Sequence, residues 1–291
     1  MSHHISRHCS PPRASQTPSS YILDRILHSV SRQHPLIAAA ISLALSASIH
    51  AAPKALVIDE EDNQPLLQPS YHKVTSNGVR LHLVSFDTRN CALQVIDQAS
   101  GPASQWSTAS SVGKAKSAHA CINAGFFNPD GSPLGLVIAD GKPRGLINNS
   151  SLGAGFFYTN GKQSGIARKS DLSRIRSQLV PTYLLQTGPM LSYRKAAISG
   201  LSSKNPRTRS FLATDGSYHW LIGYAESATL EQLGKALTGK RLANVNIYHA
   251  INLDGGRSSD LWVSPSVQNG DKTFRALWNK PVRNFLLLTK K

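Results

Sequence analysis

The sequence predicts an α+β fold in which strands outnumber helices, and three observations support that prediction. Apolar and polar residues alternate with the two-residue period of half-buried strands, as in residues 79–87. Turn sequences rich in Asn, Asp, Pro and Gly separate the apolar segments, at residues 128–132, 139–143 and 159–163. Two segments have helical character. We therefore expect an antiparallel or mixed sheet with flanking helices.

The elements follow one another along a single predicted domain. The strand candidates, in chain order, are residues 79–87, 91–98, 121–127, 134–138, 153–158, 183–193, 209–224, 244–254 and 282–290. Residues 209–224 read as a hairpin about Asp215–Gly216. A first helix is predicted within residues 107–120 and a second over 227–237, where Thr229 and Gln232 have the spacing of a capping box.

The first 52 residues differ in character from this domain. Residues 1–34 are polar and basic, and residues 35–49 form an uninterrupted run of apolar and small residues. This order is typical of a secretory signal, and the run is short for a membrane span; a retained membrane anchor is the alternative. We predict an N-terminal extension and signal over 1–52, a linker over 53–70 and one domain over 71–291.

The chain carries a net charge of +16, which bounds the possible partners. A basic protein can meet nucleic acid, an acidic envelope polymer or a phosphate-bearing substrate. Predicted export argues against nucleic acid, and the basic residues are scattered rather than clustered. A general solubility charge is equally compatible with this pattern.

Three cysteines are present, and Cys9 would leave with the signal. Cys91 and Cys121 both lie in strand-like segments. A disulfide between neighbouring strands and two reduced core cysteines are both compatible with that placement. The isolated histidines do not have the spacing of metal ligands, and we predict no metal and no cofactor.

Polar side chains stand beside glycine at four places where a predicted strand ends. They fall within residues 123–131, 186–190, 205–209 and 252–260. Each cluster alone is compatible with an ordinary turn. Together they supply amides, hydroxyls, arginines and a carboxylate, which suit a sugar and a phosphate. Asp254 is the natural carboxylate to meet an anomeric carbon.

The same clusters carry a resemblance to a known family. The motifs, in chain order, are NAGFF (123–127), TGP (187–189), NPRT (205–208), TLEQL (229–233) and NLDGG followed after one residue by two serines (252–259). In this order, over about residues 75–290, they resemble the phosphodiester glycosidase family, which includes many secreted bacterial proteins. The resemblance implies an α+β fold around a strongly curved mixed sheet and hydrolysis of a sugar-1-phosphodiester.

The resemblance also implies a set of site residues. Carried over position by position, they are Asn123, Gly125, Thr187, Gly188, Arg207, Thr208, Asn252, Asp254, Gly255 and Gly256. We predict Asp254 and Arg207 as catalytic and the others as substrate-binding. Arg209, Arg257 and Ser258 complete the predicted substrate-binding set.

Arg257 is a departure from the family pattern, which commonly has Asp-Gly-Gly-Gly-Ser at this point. If the third glycine position requires a positive φ, an arginine there would be strained. If it only allows close ligand approach, Arg257 narrows the site and adds a charge. Both interpretations stay open, and with them the equivalence of the substrate.

The sequence thus predicts an exported hydrolase, periplasmic or secreted, that cleaves a sugar-1-phosphodiester. Arg207 would hold the phosphodiester while Asp254 attacks the anomeric carbon or activates water; Glu226 and Asp130 are reserve carboxylates. The expected partner is a glycosyl-phosphate small molecule or an envelope glycan, with no nucleic acid and with membrane contact only through the signal. The alternatives are a non-catalytic glycan-binding protein and a metal-dependent phosphodiesterase.

Overall fold

A computed structural model describes residues 67–291, and β-strands dominate this part of the chain. The predicted signal over 1–52 and most of the predicted linker lie outside the described residues. Residues 65–291 group into one unit by their contacts. Within residues 67–291, no helix has the length and apolar character needed to cross a membrane.

The strands are short and follow closely on one another. In chain order they are β1 (Ser70–Ser76), β2 (Val79–Asp87), β3 (Cys91–Asp97), β4 (Ala120–Asn123), β5 (Val137–Ala139), β6 (Lys142–Arg144), β7 (Gly155–Thr159), β8 (Ser164–Arg168), β9 (Tyr183–Thr187), β10 (Met190–Tyr193), β11 (Ala196–Ala197), β12 (Arg207–Thr214), β13 (His219–Ala228), β14 (Arg241–Leu242), β15 (Val245–Asn246), β16 (His249–Asn252), β17 (Asp260–Val263), β18 (Lys272–Arg275) and β19 (Asn284–Lys290). The helices are α1 (Ala109–Ala115), α2 (Leu172–Arg174) and α3 (Leu230–Leu237).

The strands form three main sheets rather than the one curved sheet that was predicted. The first sheet has the order β1-β2-β13-β12-β16-β10-β11, the second β18-β17-β4-β19-β3 and the third β6-β5-β9-β7-β8, with β14 and β15 as a separate pair. Neighbouring strands pair antiparallel in each of these sheets. The α+β prediction therefore holds in its antiparallel form, with helices in a minor share.

The largest hydrophobic cluster lies between the three sheets. Val84 and Ile251 enter it from the first sheet, Ile122 and Leu286 from the second, and Leu185 from the third. All five side chains are fully buried. Since each sheet covers one side of this shared core, the ends of their strands can meet at its edge.

Each of the two longer helices covers an outer sheet face. In α3, the predicted capping box is confirmed: Thr229 Oγ1 accepts from the Gln232 amide at 3.1 Å, and Gln232 Oε1 accepts from the Thr229 amide at 2.9 Å. The α1 helix is shorter than predicted and packs on the second sheet. A Cβ built on its Gly113 would lie 2.1 Å from a ring carbon of Trp262, so only glycine fits this contact.

Cys91 and Cys121 are free, buried thiols. They lie on β3 and β4, and β19 runs between these two strands. On β19, Cys91 stands opposite Lys290 and Cys121 opposite Leu287, so the cysteines differ in register as well. A disulfide requires Cα atoms within roughly 7 Å, which this arrangement does not provide.

Candidate active site

The four polar clusters lie at strand ends that meet between the sheets. Asn123 ends β4 of the second sheet and Thr187 ends β9 of the third, whereas Arg207 begins β12 and Asn252 ends β16 of the first. Hydrogen bonds then join the clusters to one another. The structure thus brings the four predicted clusters next to one another.

Asn123 holds the backbone of Asp254 in place. Its Nδ2 donates to the Asp254 carbonyl at 2.6 Å, and the Asp254 amide donates to the Ala124 carbonyl at 2.8 Å. The Asn123 Oδ1 accepts from Ser210 Oγ at 2.6 Å and from the Asp260 amide at 3.0 Å. Because Asn123 is fully buried and engaged by protein groups, it acts on the site by positioning Asp254.

The TGP motif is bound to the strand that leads to Asp254. Thr187 Oγ1 donates to the Asn252 carbonyl at 2.9 Å, and Asn252 Nδ2 donates to the Gly188 carbonyl at 2.9 Å. The Asn252 amide donates to the Pro189 carbonyl at 3.0 Å. A Cβ built on Gly188 would lie 2.5 Å from the Ser151 carbonyl oxygen, so no side chain fits there.

A buried acceptor at the end of β16 has no partner among the residues that the structure describes. It is Oδ1 of Asn252, whose residue is 2% exposed. Buried polar atoms are nearly always paired, so this atom marks a place for an ordered water or a substrate hydroxyl.

Gly125 has a packing role. Its amide donates to Asn284 Oδ1 at 2.7 Å, and a Cβ built on Gly125 would lie 2.9 Å from Leu185.

Thr208 joins the NPRT motif to the turn that follows Asp254. Its Oγ1 donates to the Gly256 carbonyl at 2.9 Å. Burial raises the pKa of the Tyr224 hydroxyl, and the Thr208 side chain opposes that rise.

Two arginine side chains lie against this turn. A Cβ built on Gly256, where φ is +62°, would be 3.5 Å from Arg207 Cδ, and one built on Gly255 would be 3.5 Å from Arg209 Cδ. A side chain at either glycine would therefore press on an arginine. At Gly256 the positive φ is a second reason for glycine.

The two arginines differ in their partners. Arg209 is partly buried, and it donates through Nε to the Ala228 carbonyl at 3.0 Å and through a terminal nitrogen to the Asn205 carbonyl at 3.1 Å. Burial and the neighbouring Arg207 lower the pKa of Arg209. Arg207 is exposed and, within residues 67–291, has no hydrogen-bond or carboxylate partner. Arg207 is thus the guanidinium available to a phosphate, and Arg209 braces the loop before it.

Asp254 has the electrostatics of a catalytic carboxylate. Burial raises its pKa to about 6, against hydrogen bonds from the Ser258 side chain and the Gly255 backbone that favour the ionised form. A carboxylate with this pKa is mostly ionised at neutral pH and is more basic than an ordinary aspartate. It can act as a nucleophile or as a general base.

Arg257 is unstrained, because the positive φ of this turn falls on Gly256 and not on Arg257. The arginine is exposed, and its Nε donates to the Trp278 carbonyl at 3.1 Å. The Lys280 amide donates to the Arg257 carbonyl at 2.9 Å. Of the two interpretations of this departure, strain is therefore wrong, and the side chain braces a surface loop on which Trp278 is 69% exposed.

The reserve carboxylates have other partners. Glu226 contacts Arg80 at 2.8 Å and His82 Nε2 at 3.0 Å, and His82 Nδ1 is 2.8 Å from the Tyr71 hydroxyl. Asp130 is exposed and accepts from Ser132. Within the described residues, no three His, Cys, Asp or Glu side chains are grouped as metal ligands would be.

Solved structures with the same fold include two relatives of low sequence identity. The catalytic domain of zebrafish N-acetylglucosamine-1-phosphodiester alpha-N-acetylglucosaminidase, auto-inhibited by its pro-peptide, is 17% identical with a TM-score of 0.57, over 79% of this chain and 85% of that one. A hypothetical protein from Synechocystis is 14% identical with a TM-score of 0.52, over 79% of this chain and 64% of that one. No curated protein sequence matches the chain.

A match to the family itself is more decisive than these similarities of fold. The phosphodiester glycosidase family matches residues 116–289, which is more than half of the 291 residues. This range contains every one of the four polar clusters, from Asn123 to Ser258. The chain belongs to the phosphodiester glycosidase family.

Proposed function

We propose that the protein is a hydrolase that cleaves the bond between the anomeric carbon and the phosphate oxygen of a sugar-1-phosphodiester. The observation that carries this proposal is the setting of Asp254. Hydrogen bonds join the turn at Asp254 to the three other polar clusters, either directly or through Asn252. The pKa of the Asp254 carboxyl is raised to about 6. The guanidinium of Arg207, which has no partner in residues 67–291, lies against the same turn.

In the proposed reaction, Arg207 holds the phosphodiester through its planar fork of N–H donors. Asp254 attacks the anomeric carbon or removes a proton from the water that does so. The leaving group is a phosphate monoester, which departs readily as an anion, so a strong general acid is not required. Asn252 Oδ1, as a buried acceptor without a protein partner, would accept from a sugar hydroxyl.

The name of the zebrafish enzyme of similar fold supplies the first substrate to test. We propose an N-acetylglucosaminyl or related glycosyl phosphodiester, carried by a small molecule or an envelope glycan. Export to the periplasm or the medium is part of the same proposal, and it is supported by the apolar run at residues 35–49.

A coupled colour assay tests the activity. In 4-nitrophenyl N-acetyl-α-D-glucosaminyl phosphate, cleavage on the sugar side releases 4-nitrophenyl phosphate, which becomes coloured only after alkaline phosphatase is added. We expect colour in the coupled assay, none before the phosphatase, and full activity after treatment of the protein with EDTA.

Each alternative predicts a different result. Direct colour without phosphatase, or loss of activity in EDTA, would point to a metal-dependent phosphodiesterase. Saturable binding of the same diester without turnover would make the protein a glycan-binding member of its family. Failure to bind or hydrolyse this sugar calls for the same assay with α-D-glucosyl and α-D-mannosyl diesters.

A further inference from the structure

Beside the TGP motif lies a groove of about 430 Å³ that the four sequence clusters do not include. We call it the Pro189 groove. Pro189 and Met190, which directly follow Gly188, form one side, and residues 198–202 form another. Ser151, Leu152, Ala154, Arg168 and Leu230 complete the lining.

The lining of the Pro189 groove does not suit a sugar ring. Most of its side chains are aliphatic, including Leu152, Met190, Leu201 and Leu230, and none of its lining residues carries an amide, a carboxylate or an aromatic ring. Sugar sites depend on amides and carboxylates for hydroxyl contacts, and those groups lie in the Asp254 cluster instead. The groove therefore suits an aliphatic chain.

The only charged side chain of the lining is Arg168. Its guanidinium stacks at 4.1 Å from the ring centroid of Tyr193 and is exposed. Stacking fixes the arginine while leaving its N–H donors available to an anion. An aliphatic chain that carries an anionic or polar group would match both the apolar walls and this charge.

Contacts with α3 hold Leu201 and Ser202, at the end of the segment 198–202, in place. The Glu231 amide at the start of α3 donates to the Ser202 carbonyl at 3.1 Å. Leu201 packs so closely on α3 that a Cβ built on Gly234 would lie 2.7 Å from its Cδ1. The Lys204 amide donates to Ser202 Oγ at 3.2 Å. The groove is preformed, so binding would not have to order this wall.

The groove adjoins the catalytic cluster at two points. The segment 198–202 leads directly to Asn205 and Arg207, and Arg209 donates to the Asn205 carbonyl at 3.1 Å. On the other side, the Pro189 carbonyl accepts from the Asn252 amide, two residues before Asp254. A ligand whose phosphate lies at Arg207 can thus extend along this wall.

We propose that the Pro189 groove binds the aglycone, the alcohol esterified to the far side of the phosphate, and that it selects an aliphatic alcohol over a second sugar. This inference rests on the proposed function, because it assigns the aglycone of that same reaction. The glycosyl part would lie at Asp254 and Asn252, with Arg207 on the phosphate between the two parts.

The test is a series of N-acetyl-α-D-glucosaminyl phosphodiesters with methyl, butyl and hexyl aglycones. Each buried methylene should tighten binding about fourfold, so KM should fall steeply along the series until the groove is filled. The kcat should stay level, because the added contact is equal in the ground and transition states. A KM that is independent of chain length, with normal turnover, would overturn the groove assignment and leave the proposed function intact.

Two substitutions locate the effect. Leu152→Asp puts a charge in the lining, and Leu152 is 37% exposed, so the folded state should tolerate it. We expect this variant to lose the dependence on chain length and to keep the wild-type kcat/KM for the methyl diester. Ser199→Asp, on the opposite wall and exposed, should do the same. Leu146→Asp is the matched control, since Leu146 is 84% exposed and is not part of the lining.

A binding measurement separates failure of the groove from failure of the enzyme. Calorimetry with hexyl phosphate and methyl phosphate needs no turnover. Tighter binding of hexyl phosphate, reversed by Leu152→Asp, supports the groove even if no diester is hydrolysed. Equal binding of the two phosphates, or a preference for a diester whose aglycone is a sugar, contradicts it.

Discussion

The Asn123 Nδ2 donates a 2.6 Å hydrogen bond to the backbone carbonyl of Asp254, across 131 residues of sequence. Both residues were predicted to touch substrate, but the structure gives them different parts. Asn123 is fully buried and bound to protein groups on both sides of its amide. Asp254 is partly buried, and burial raises the pKa of its carboxylate to about 6. The asparagine is a positioning residue for the aspartate.

Replacing Asn123 with alanine should therefore damage stability and activity together. The variant leaves the buried Ser210 hydroxyl and the Asp260 amide without a hydrogen-bond acceptor. This loss should lower the free energy of unfolding by about 2–3 kcal/mol. Urea denaturation with an unchanged m-value measures this loss. Asn149→Ala, at an exposed site, is the control and should change stability little. If Asn123→Ala is as stable as wild type, the hydrogen bonds of the Asn123 side chain do not stabilise the fold.

The pH dependence of the reaction should report Asp254. As nucleophile or base, Asp254 must be ionised, and burial raises its pKa to about 6. The kcat/KM should therefore be on a plateau above about pH 7 and fall about tenfold per pH unit below the pKa. Initial rates at low substrate concentration between pH 4 and 8 measure the profile. An acid limb centred near pH 4 would show that Asp254 is not the group that titrates.

Asp254 should also reduce stability at neutral pH. Its folded pKa of about 6 lies above the ordinary value of 3.8, so below about pH 3 both states are protonated and there is no penalty. As the pH rises from about 3 to 6, the unfolded state ionises first and the folded state loses stability. Above pH 6 the penalty is complete, at ~1–3 kcal/mol for a partly exposed group.

Asp254→Asn should consequently make the protein more stable at pH 7 by that amount and leave its stability at pH 3 unchanged, while abolishing turnover. Unfolding in urea at both pH values gives the comparison. A variant that is equally destabilised at both pH values would indicate that hydrogen bonds from Ser258 and Gly255 stabilise the carboxylate more than burial destabilises it.

The two arginines of the motif region should behave differently on substitution. Arg207 lies against the Asp254 turn without a protein partner in residues 67–291, whereas Arg257 donates to the Trp278 carbonyl. We expect Arg207→Ala to lower kcat/KM by about one to two orders of magnitude, as for loss of a charged hydrogen bond, and Arg207→Lys to restore it only in part.

Arg257→Gly should leave kcat within about threefold of wild type, because the bond it removes lies in the surface loop. Acrylamide quenching of tryptophan fluorescence should increase as the Trp278 loop loosens, since Trp220 and Trp262 are buried. Loss of activity on the scale of Arg207→Ala would instead make Arg257 part of the phosphate site.

Local sequence chemistry predicted the local structure well. The capping box of Thr229 and Gln232 and the hairpin turn at Gly216 depend on residues a few positions apart, and both are present. The motif positions at strand ends also followed from the sequence, because glycine beside a polar residue interrupts the two-residue period.

The parts that sequence reasoning missed all depend on distant pairing. The strand predicted over 183–193, with its interruption at Gly188–Pro189, is two strands in different sheets, since β9 pairs in the third sheet and β10 in the first. The burial of Asn123 and the contacts of Arg257 depend on which distant strands and loops pack together. No local sequence pattern predicts which distant strands pair.

The position of the new oxygen atom tests the central claim most directly. Hydrolysis of 4-nitrophenyl N-acetyl-α-D-glucosaminyl phosphate in H₂¹⁸O, followed by mass spectrometry of the released phosphate monoester, shows which bond breaks. With Asp254 acting at the anomeric carbon, the monoester should contain no ¹⁸O, and Asp254→Asn should release none of it. An ¹⁸O-labelled phosphate, or full turnover by Asp254→Asn, would contradict the account.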